Sequence, residues 1–531
     1  MKITAILTIV GGFSVAFVRR LRRYCAISVF AVAMACDAMG QEISLPTSNV
    51  SELTDRVDSQ AAELAELRSE LRKLQTALSK KESGEKKPDL KTAPVPPVGA
   101  EGCGEKAAPR KNKIPVVVEQ KPSNGCAEDT APKNFTLNFV ADYDKGFLIK
   151  PVDAKKSPFQ LKTNAWIQFR HVGFVRDRDS WTDNSGRTRA IRDRNAFDIE
   201  RARLVFSGYA HDPRLTYFLH LDGDTDGRHA VDFFDYWWAW KFSDALRVQF
   251  GKRKAPGSRQ WLLGARDTRL SDRPIATDFF RPDRSLGIFA TGEPAEGFFY
   301  ELMLGNGYRT ANRNAAEINN KFAFSGTTRW EPNGKFGKSL TDHDCSEEPL
   351  IRFGHSFSWA AQQGLDANGS PLRESDFVRL ADGTNLTQTG ALTAGTTVSE
   401  FDVYLYAVDA AFKYQGWSVN SEVYFRWLQD LQGNGPLART KIAQRGFFVE
   451  GGRVIIPEKL DWNVRYSQVS GPFGDTSEYG AGVNWYPLDT RKLKLTFDVT
   501  QVDGSPLNNT ATEFLAGDSG TLFRTQFQAE F

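Results

Sequence analysis

An all-β fold is what this sequence predicts, and three observations carry the prediction. From about residue 135 onward, short segments alternate apolar with polar or charged residues, the period-two signature of strands. The 531 residues include 38 Phe, 14 Tyr, 12 Trp and 44 Gly against only 4 Met, a mixture suited to many strands and tight turns. The alternating segments number sixteen, an even count, and their polar faces carry charge. Mean hydropathy is −0.43, and beyond residue 40 no apolar run is long enough for a transmembrane helix. A membrane-spanning barrel needs none, because lipid-facing and lumen-facing residues alternate and average out. The expected architecture is a 16-stranded antiparallel transmembrane β-barrel over 135–531, preceded by an α-helical coiled coil and a disordered linker.

In chain order, the first element is an export signal over 1–40. Arg19, Arg20, Arg22 and Arg23 precede a short apolar stretch ending at Ala35, and small residues lead to cleavage after Gly40. The apolar stretch Ile3–Val18 before those arginines leaves the start site open between an extended signal and a later initiation. Next, Val50, Leu53, Val57, Gln60, Leu64, Leu67, Leu71, Leu74 and Leu78 are spaced alternately three and four residues apart. That 3.5-residue period predicts a coiled coil over 48–80, with Gln60 as the one polar core position. Residues 81–133 are rich in Lys, Glu, Pro and Gly, cannot bury a core, and read as a linker. Of the five cysteines, Cys25 and Cys36 fall in the signal; Cys103 and Cys126 either pair in an oxidising periplasm or stay free.

The strand segments lie near 160–171, 197–210, 214–224, 231–243, 246–254, 286–292, 297–306, 320–331, 350–361, 402–414, 417–428, 444–454, 459–470, 478–487, 491–501 and 520–531. The last is the clearest. Phe523, Thr525, Phe527, Ala529 and Phe531 share one face, and Arg524, Gln526, Gln528 and Glu530 share the other. Phe234, Tyr236, Trp238 and Trp240 put four aromatics on one face, an aggregation hazard in water but part of an aromatic girdle at a bilayer surface. Short links at Ser243–Ala245, Gln415–Gly416 and Pro487–Thr490 read as periplasmic turns. The long links 171–196, 255–285, 362–401 and 502–519 read as external or inward-folded loops.

Several stretches resemble the phosphate-selective porin O and P family. Ile199-Glu-Arg201-Ala-Arg203-Leu-Val-Phe-Ser-Gly208 looks like that family's Arg-Arg-Ala-Arg strand, with Glu200 in place of its first Arg. In order follow Phe234-Asp235-Tyr-Trp-Trp, Leu246-Arg-Val-Gln-Phe-Gly251-Lys252-Arg-Lys254-Ala-Pro256-Gly, a loop with Arg266, Asp272-Arg273-Pro and Arg281–Gly287, and Tyr479-Gly-Ala-Gly-Val-Asn484-Trp485-Tyr486. The resemblance runs from about Gly146 to Phe531 and implies a homotrimeric outer-membrane porin passing phosphate or polyphosphate. It also implies that a long loop, here about 255–285, folds into the lumen, and that Arg201, Asp235 and Arg266 stand at the constriction.

Strand parity by itself puts Arg201, Arg203 and Asp235 on the lumen side, with Ala202, Leu204, Phe234 and Tyr236 toward lipid. Residues 252–285 hold nine Lys/Arg and four Asp, more positive than the whole chain at +3. Arg259, Arg266, Arg269 and Arg273 are therefore candidate anion ligands beside Arg201 and Arg203, because guanidinium stays charged and matches phosphate oxygens. Asp235 would accept from a protonated phosphate. The bland alternative is a solvated basic loop paired with its own Asp residues.

A net charge of +3 does not suggest nucleic acid. The six His are scattered, Asp342-His343-Asp344-Cys345 reads as surface loop, and Asp222-Gly-Asp224-Thr-Asp226-Gly227 reads as a solvated turn rather than a calcium loop. No nucleophile–base motif or metal-spaced pair is visible, so no catalysis and no cofactor are expected. The expected partners are outer-membrane lipid, small anions and further copies of the chain. A second role is structural: the coiled coil and linker would tether the outer membrane to a cell-wall or periplasmic partner.

Overall fold

The computed structural model describes residues 139–155, 158–223, 231–308, 321–364, 378–488, 490–508 and 513–531. The signal, coiled coil, linker and Cys103–Cys126 pairing all fall on residues outside these.

A short hairpin comes first, β1 (Phe139–Tyr143) and β2 (Phe147–Pro151). The barrel starts at β3 (Phe159–Arg176). A second small hairpin, β4 (Ser180–Thr182) with β5 (Thr188–Ala190), decorates the next link. The wall continues with β6 (Arg194–Ala210), β7 (Asp212–Gly223), β8 (Asp232–Lys241), β9 (Arg247–Lys254), β10 (Arg284–Ala295), β11 (Phe298–Gly305) and β12 (Ala323–Trp330). It is completed by β13 (Leu350–Gly364), β14 (Val398–Tyr414), β15 (Trp417–Gly433), β16 (Ile442–Ile456), β17 (Leu460–Gly471), β18 (Gly474–Trp485), β19 (Leu493–Asp503) and β20 (Gly520–Glu530).

Each wall strand pairs antiparallel with the next, and β20 closes on β3 in register from Gly520↔Arg176 to Glu530↔Trp166. The result is a closed barrel of sixteen antiparallel strands, and all sixteen expected segments are present. Closure leaves no unpaired edge in the wall, as lipid requires.

The alternation has the sense expected of a barrel with a polar interior. On β20, Arg524, Gln526 and Gln528 are buried while Phe523 and Phe527 are exposed on the outer face. On β15, Ser418, Asn420, Glu422 and Arg426 point inward and Val419 and Trp427 outward.

One rim carries the short turns at 242–246, 415–416 and 486–492, and the other carries the long links at 177–193, 255–283, 365–397 and 504–519. Two links break that division. Residues 472–473 join β17 to β18 by two residues on the long-loop rim, and 331–349 form a long link on the short-turn rim. The latter tucks inside. Phe336, Leu340 and Asp342 are buried, and Lys413 Nζ donates to the Phe336 carbonyl at 2.9 Å.

Asp342-His343-Asp344-Cys345 is therefore not simply surface loop. Asp342 accepts from the Gly416 amide at 2.8 Å, and burial, reinforced by Arg491 and Lys494, pushes His343 down to about 3. Cys345 is a free thiol.

Candidate functional site

Residues 255–283 enter the lumen as two short helices, α1 (Arg259–Leu262) and α2 (Ile275–Phe280), joined by a 3-10 turn at Ala265–Asp267. Because 255–260 and 268–280 are buried, the solvated-loop alternative does not describe this segment. α2 packs on β15, β16 and β17, where Phe280 stacks on Tyr424 with ring centroids 5.3 Å apart. Leu270 lies over Gly480 and Gly482 of β18. A Cβ on either glycine would stand 2.7–2.8 Å from its methyl groups.

Asp272 pins the loop to the opposite wall. Its carboxylate lies 2.8 Å from Arg170, 3.2 Å from Arg201 and 3.4 Å from Arg524. Desolvation would raise this carboxyl, but the three guanidiniums hold it below its ordinary value. Ser271 adds a backbone hydrogen bond to Asp498 at 2.9 Å, and the Ile275 amide adds one to Glu478 at 2.7 Å.

With β13–β18 covered by this loop, by 331–349 and by 378–397, open space remains on the other side. A cavity of about 1120 Å³ runs along β3 and β6–β11, lined by thirteen Lys/Arg and six Asp/Glu. Two bulges shape its wall. Gln168 pairs with Arg201 but Phe169 pairs with Ile199, so Glu200 is an extra residue and both Glu200 and Arg201 face inward. Likewise His220 pairs with Asp235 and Leu221 with Phe233, so Phe234 and Asp235 both line the cavity. This corrects strand parity at Phe234. It faces the lumen, beneath Arg203 (4.1 Å) and Arg284 (3.4 Å), and does not join Trp238 on the outer surface.

Of the seven expected anion ligands, Arg201, Arg203, Asp235, Arg266 and Arg273 line this cavity. Four of them are already ion-paired. Arg201 lies 2.8 Å from Glu200, Arg203 grips Asp222 through two 2.8 Å bonds, and Arg266 meets Glu530 at 2.5 Å. Asp235 receives Arg284 Nε at 2.8 Å and faces His220 Nδ1 at 3.4 Å. Arg273 is different. Among the described residues it donates to the Gln260 and Leu263 carbonyls, at 3.1 and 2.7 Å, and burial lowers it to about 10.

Arg259 and Arg269 lie away from the cavity, between the inserted loop and the 331–349 segment. Arg259 bonds Asn420 and stacks on Phe336 at 4.8 Å, and burial lowers it to about 9. Arg269 bonds the Leu340 carbonyl at 2.6 Å, Asn463 and Ser418 at 2.7 Å. Their surroundings are those of a packed interior.

Nine lining cations lie beyond the expected set: Lys145, Lys162, Lys338 and Lys492, together with Arg247, Arg253, Lys254, Arg281 and Arg284. Arg247, Gln249 and Arg253 alternate with Val248 and Phe250, so parity alone points to Arg247 and Arg253. Lys254 donates to the Trp261 and Leu263 carbonyls at 2.7 Å each, and Arg247 to Thr216 at 2.7 Å. Neither forms a carboxylate ion pair among the described residues. Trp261 gathers Lys254, Arg273, Arg281 and Arg284 within 4.6–5.7 Å of its ring.

The sequence profile of the phosphate-selective porin O and P family matches residues 179–531, from the first long loop through the last wall strand. The chain belongs to that family. This porin is accordingly an outer-membrane channel protein. Solved structures with a similar fold include the anion-selective porin from Comamonas acidovorans, at 11% identity and TM-score 0.46, covering 70% of this chain and 100% of that one. OmpF of Salmonella typhi, in complex with daunomycin, gives 10% identity and TM-score 0.45 over 74% and 100%. The trimer form of OmpT from Vibrio cholerae gives 12% and 0.45 over 70% and 99%. No curated protein matches the porin significantly.

Proposed function

We propose that this porin conducts small anions by diffusion, phosphate or polyphosphate among them, along the passage between the inserted loop and β3–β11. The observation that carries this reading is the lining of thirteen cations against six carboxylates, with Arg247, Lys254 and Arg273 outside any carboxylate ion pair among the described residues. In a narrow passage the effective dielectric is below that of water, so an anion 4 Å from a cation gains roughly 1 to 4 kcal/mol. Phosphate gains more than chloride through its charge and through paired guanidinium contacts.

The two expected ligands that lie elsewhere, Arg259 and Arg269, have a packing role in this reading. Arg201 acts as the clamp that holds Asp272. Family membership supports a homotrimer in outer-membrane lipid, and the heptad over 48–80 supports a second, tethering role toward a periplasmic or cell-wall partner.

Reversal potentials of the purified protein in a planar bilayer under a KCl gradient test the reading. Selectivity for Cl⁻ with block by added phosphate is expected. Equal permeability to Cl⁻ and K⁺ would refute it.

A further inference from the structure

The hairpin β1–β2 is built on two unlike faces. Its register pairs Phe139 with Pro151, Ala141 with Ile149 and Tyr143 with Phe147, so these six apolar residues share one face. Val140, Asp142, Leu148 and Lys150 share the other. In water an exposed apolar face of this kind is a liability. Here Phe139, Tyr143, Phe147 and Ile149 are each 39–56% exposed.

The side to which that face turns follows from its pairing with the wall. β20 engages β3 only from Trp166 onward, and β2 takes the stretch below it, pairing Phe147 with Thr163, Leu148 with Lys162 and Ile149 with Leu161. Lys162 lines the passage. Alternation then puts Leu161 and Thr163, and with them Ile149 and Phe147, on the outer surface of the barrel.

Ring contacts tie that face to the barrel at two points. Phe139 meets Phe159 with centroids 5.5 Å apart, Tyr143 meets Phe147 at 5.9 Å, and Phe147 meets Phe531 at 5.1 Å. Phe531, just past β20, follows the parity of Phe523 and Phe527 and borders the passage mouth. At the end of the hairpin beside Phe531, Tyr143 receives a hydrogen bond from Lys492 Nζ at 2.6 Å, and the same ammonium lies 4.8 Å from its ring.

We propose that β1–β2 is a lipid-binding foot: its Phe139–Tyr143–Phe147–Ile149 face lies in the inner leaflet of the outer membrane, across the seam where the barrel closes. The occupant is phospholipid, because Phe147 abuts Phe531 at the end of β20 and Phe139 abuts Phe159 at the start of β3, so the strip continues the outer face of those strands.

The test uses the full chain in phospholipid vesicles. Phe147→Cys, Asp142→Cys and Phe527→Cys, each in a cysteine-free background, carry a bimane label, and the lipid is brominated near the headgroup. Quenching at 147 at least half that at 527, with little at 142, is the expected result. A label at 147 quenched no more than the one at 142, while 527 is quenched, overturns the foot, whether water or a second copy covers the face. Loss of quenching at 527 itself would instead contradict the membrane-spanning barrel. The foot is independent of which ions pass.

Discussion

The Phe280 ring stands where a side chain on Gly446 would have to be: a Cβ there would lie 2.6 Å from Phe280 Cε2 and 2.7 Å from the Gln468 carbonyl. The glycine is what lets α2 rest on β16. Gly446→Ala is therefore expected to destabilise the folded barrel by about 1–3 kcal/mol, the usual range for overpacking, and to push the inserted loop away from the wall. A lowered thermal midpoint together with altered single-channel conductance checks it. An unchanged midpoint would show that the wall can yield at no cost.

Asp272 is shared by Arg170, Arg201 and Arg524. Removing one partner from a buried ionic network leaves uncompensated charge and costs about 3–5 kcal/mol. Asp272→Asn is expected to lower the unfolding midpoint and to make the open-channel current noisier, since the loop loses its tie to β3, β6 and β20. If stability and noise both match the wild type, the loop is held by its packing on β15–β18 alone.

The cations sort into two groups with different expected effects. Arg247 faces the passage without a carboxylate ion pair among the described residues, whereas Arg259 is packed against Phe336 away from it. Reversing a charge in the passage changes ion energies by roughly 1 kcal/mol or more, so Arg247→Glu is expected to lower the Cl⁻/K⁺ permeability ratio by about fivefold. Arg259→Gln should reduce stability and leave that ratio alone. Reversal potentials of the two variants decide the matter. A ratio that responds to Arg259 and ignores Arg247 would place the ion path elsewhere.

That division was only partly legible in the sequence. Sixteen strands could be counted because each buries one polar and exposes one apolar face, a pattern local to about ten residues. The lumen side of Arg203 and of Arg247 follows from the same parity. What parity cannot deliver is a bulge: Glu200 and Phe234 are each one residue too many for the neighbouring strand, and nothing in their own segments announces it. Nor can it deliver pairing at a distance. Asp222 and Arg203 meet through strand register, and Arg266 meets Glu530 across 264 residues. The 331–349 segment is the fullest miss. Its Gly, Lys and Asp content resembles a surface loop, yet its Phe336 and Leu340 carbonyls are the acceptors that Lys413 and Arg269 need inside the barrel.

Glu513, in the long link between β19 and β20, gives the porin a pH dependence of definite sign. Desolvation pushes its carboxyl up from 4.5 to about 7; Asp198 and Asp272 add to the rise, and Arg170 opposes it. A carboxyl whose folded value is raised binds its proton more tightly in the folded state. Its contribution to stability is fully present below about 4.5 and is lost as pH rises toward about 7, after which it stays constant. The 504–519 link, also held by Arg194 donating to the Glu513 carbonyl at 2.8 Å, should therefore dock most firmly in mild acid. Glu513→Gln keeps the shape and removes the titration. Thermal midpoints measured from pH 5 to 8 should fall less steeply with pH in the variant than in the wild type. Parallel curves would mean that the Glu513 carboxyl is solvated and the neighbouring carboxylates do not sense it.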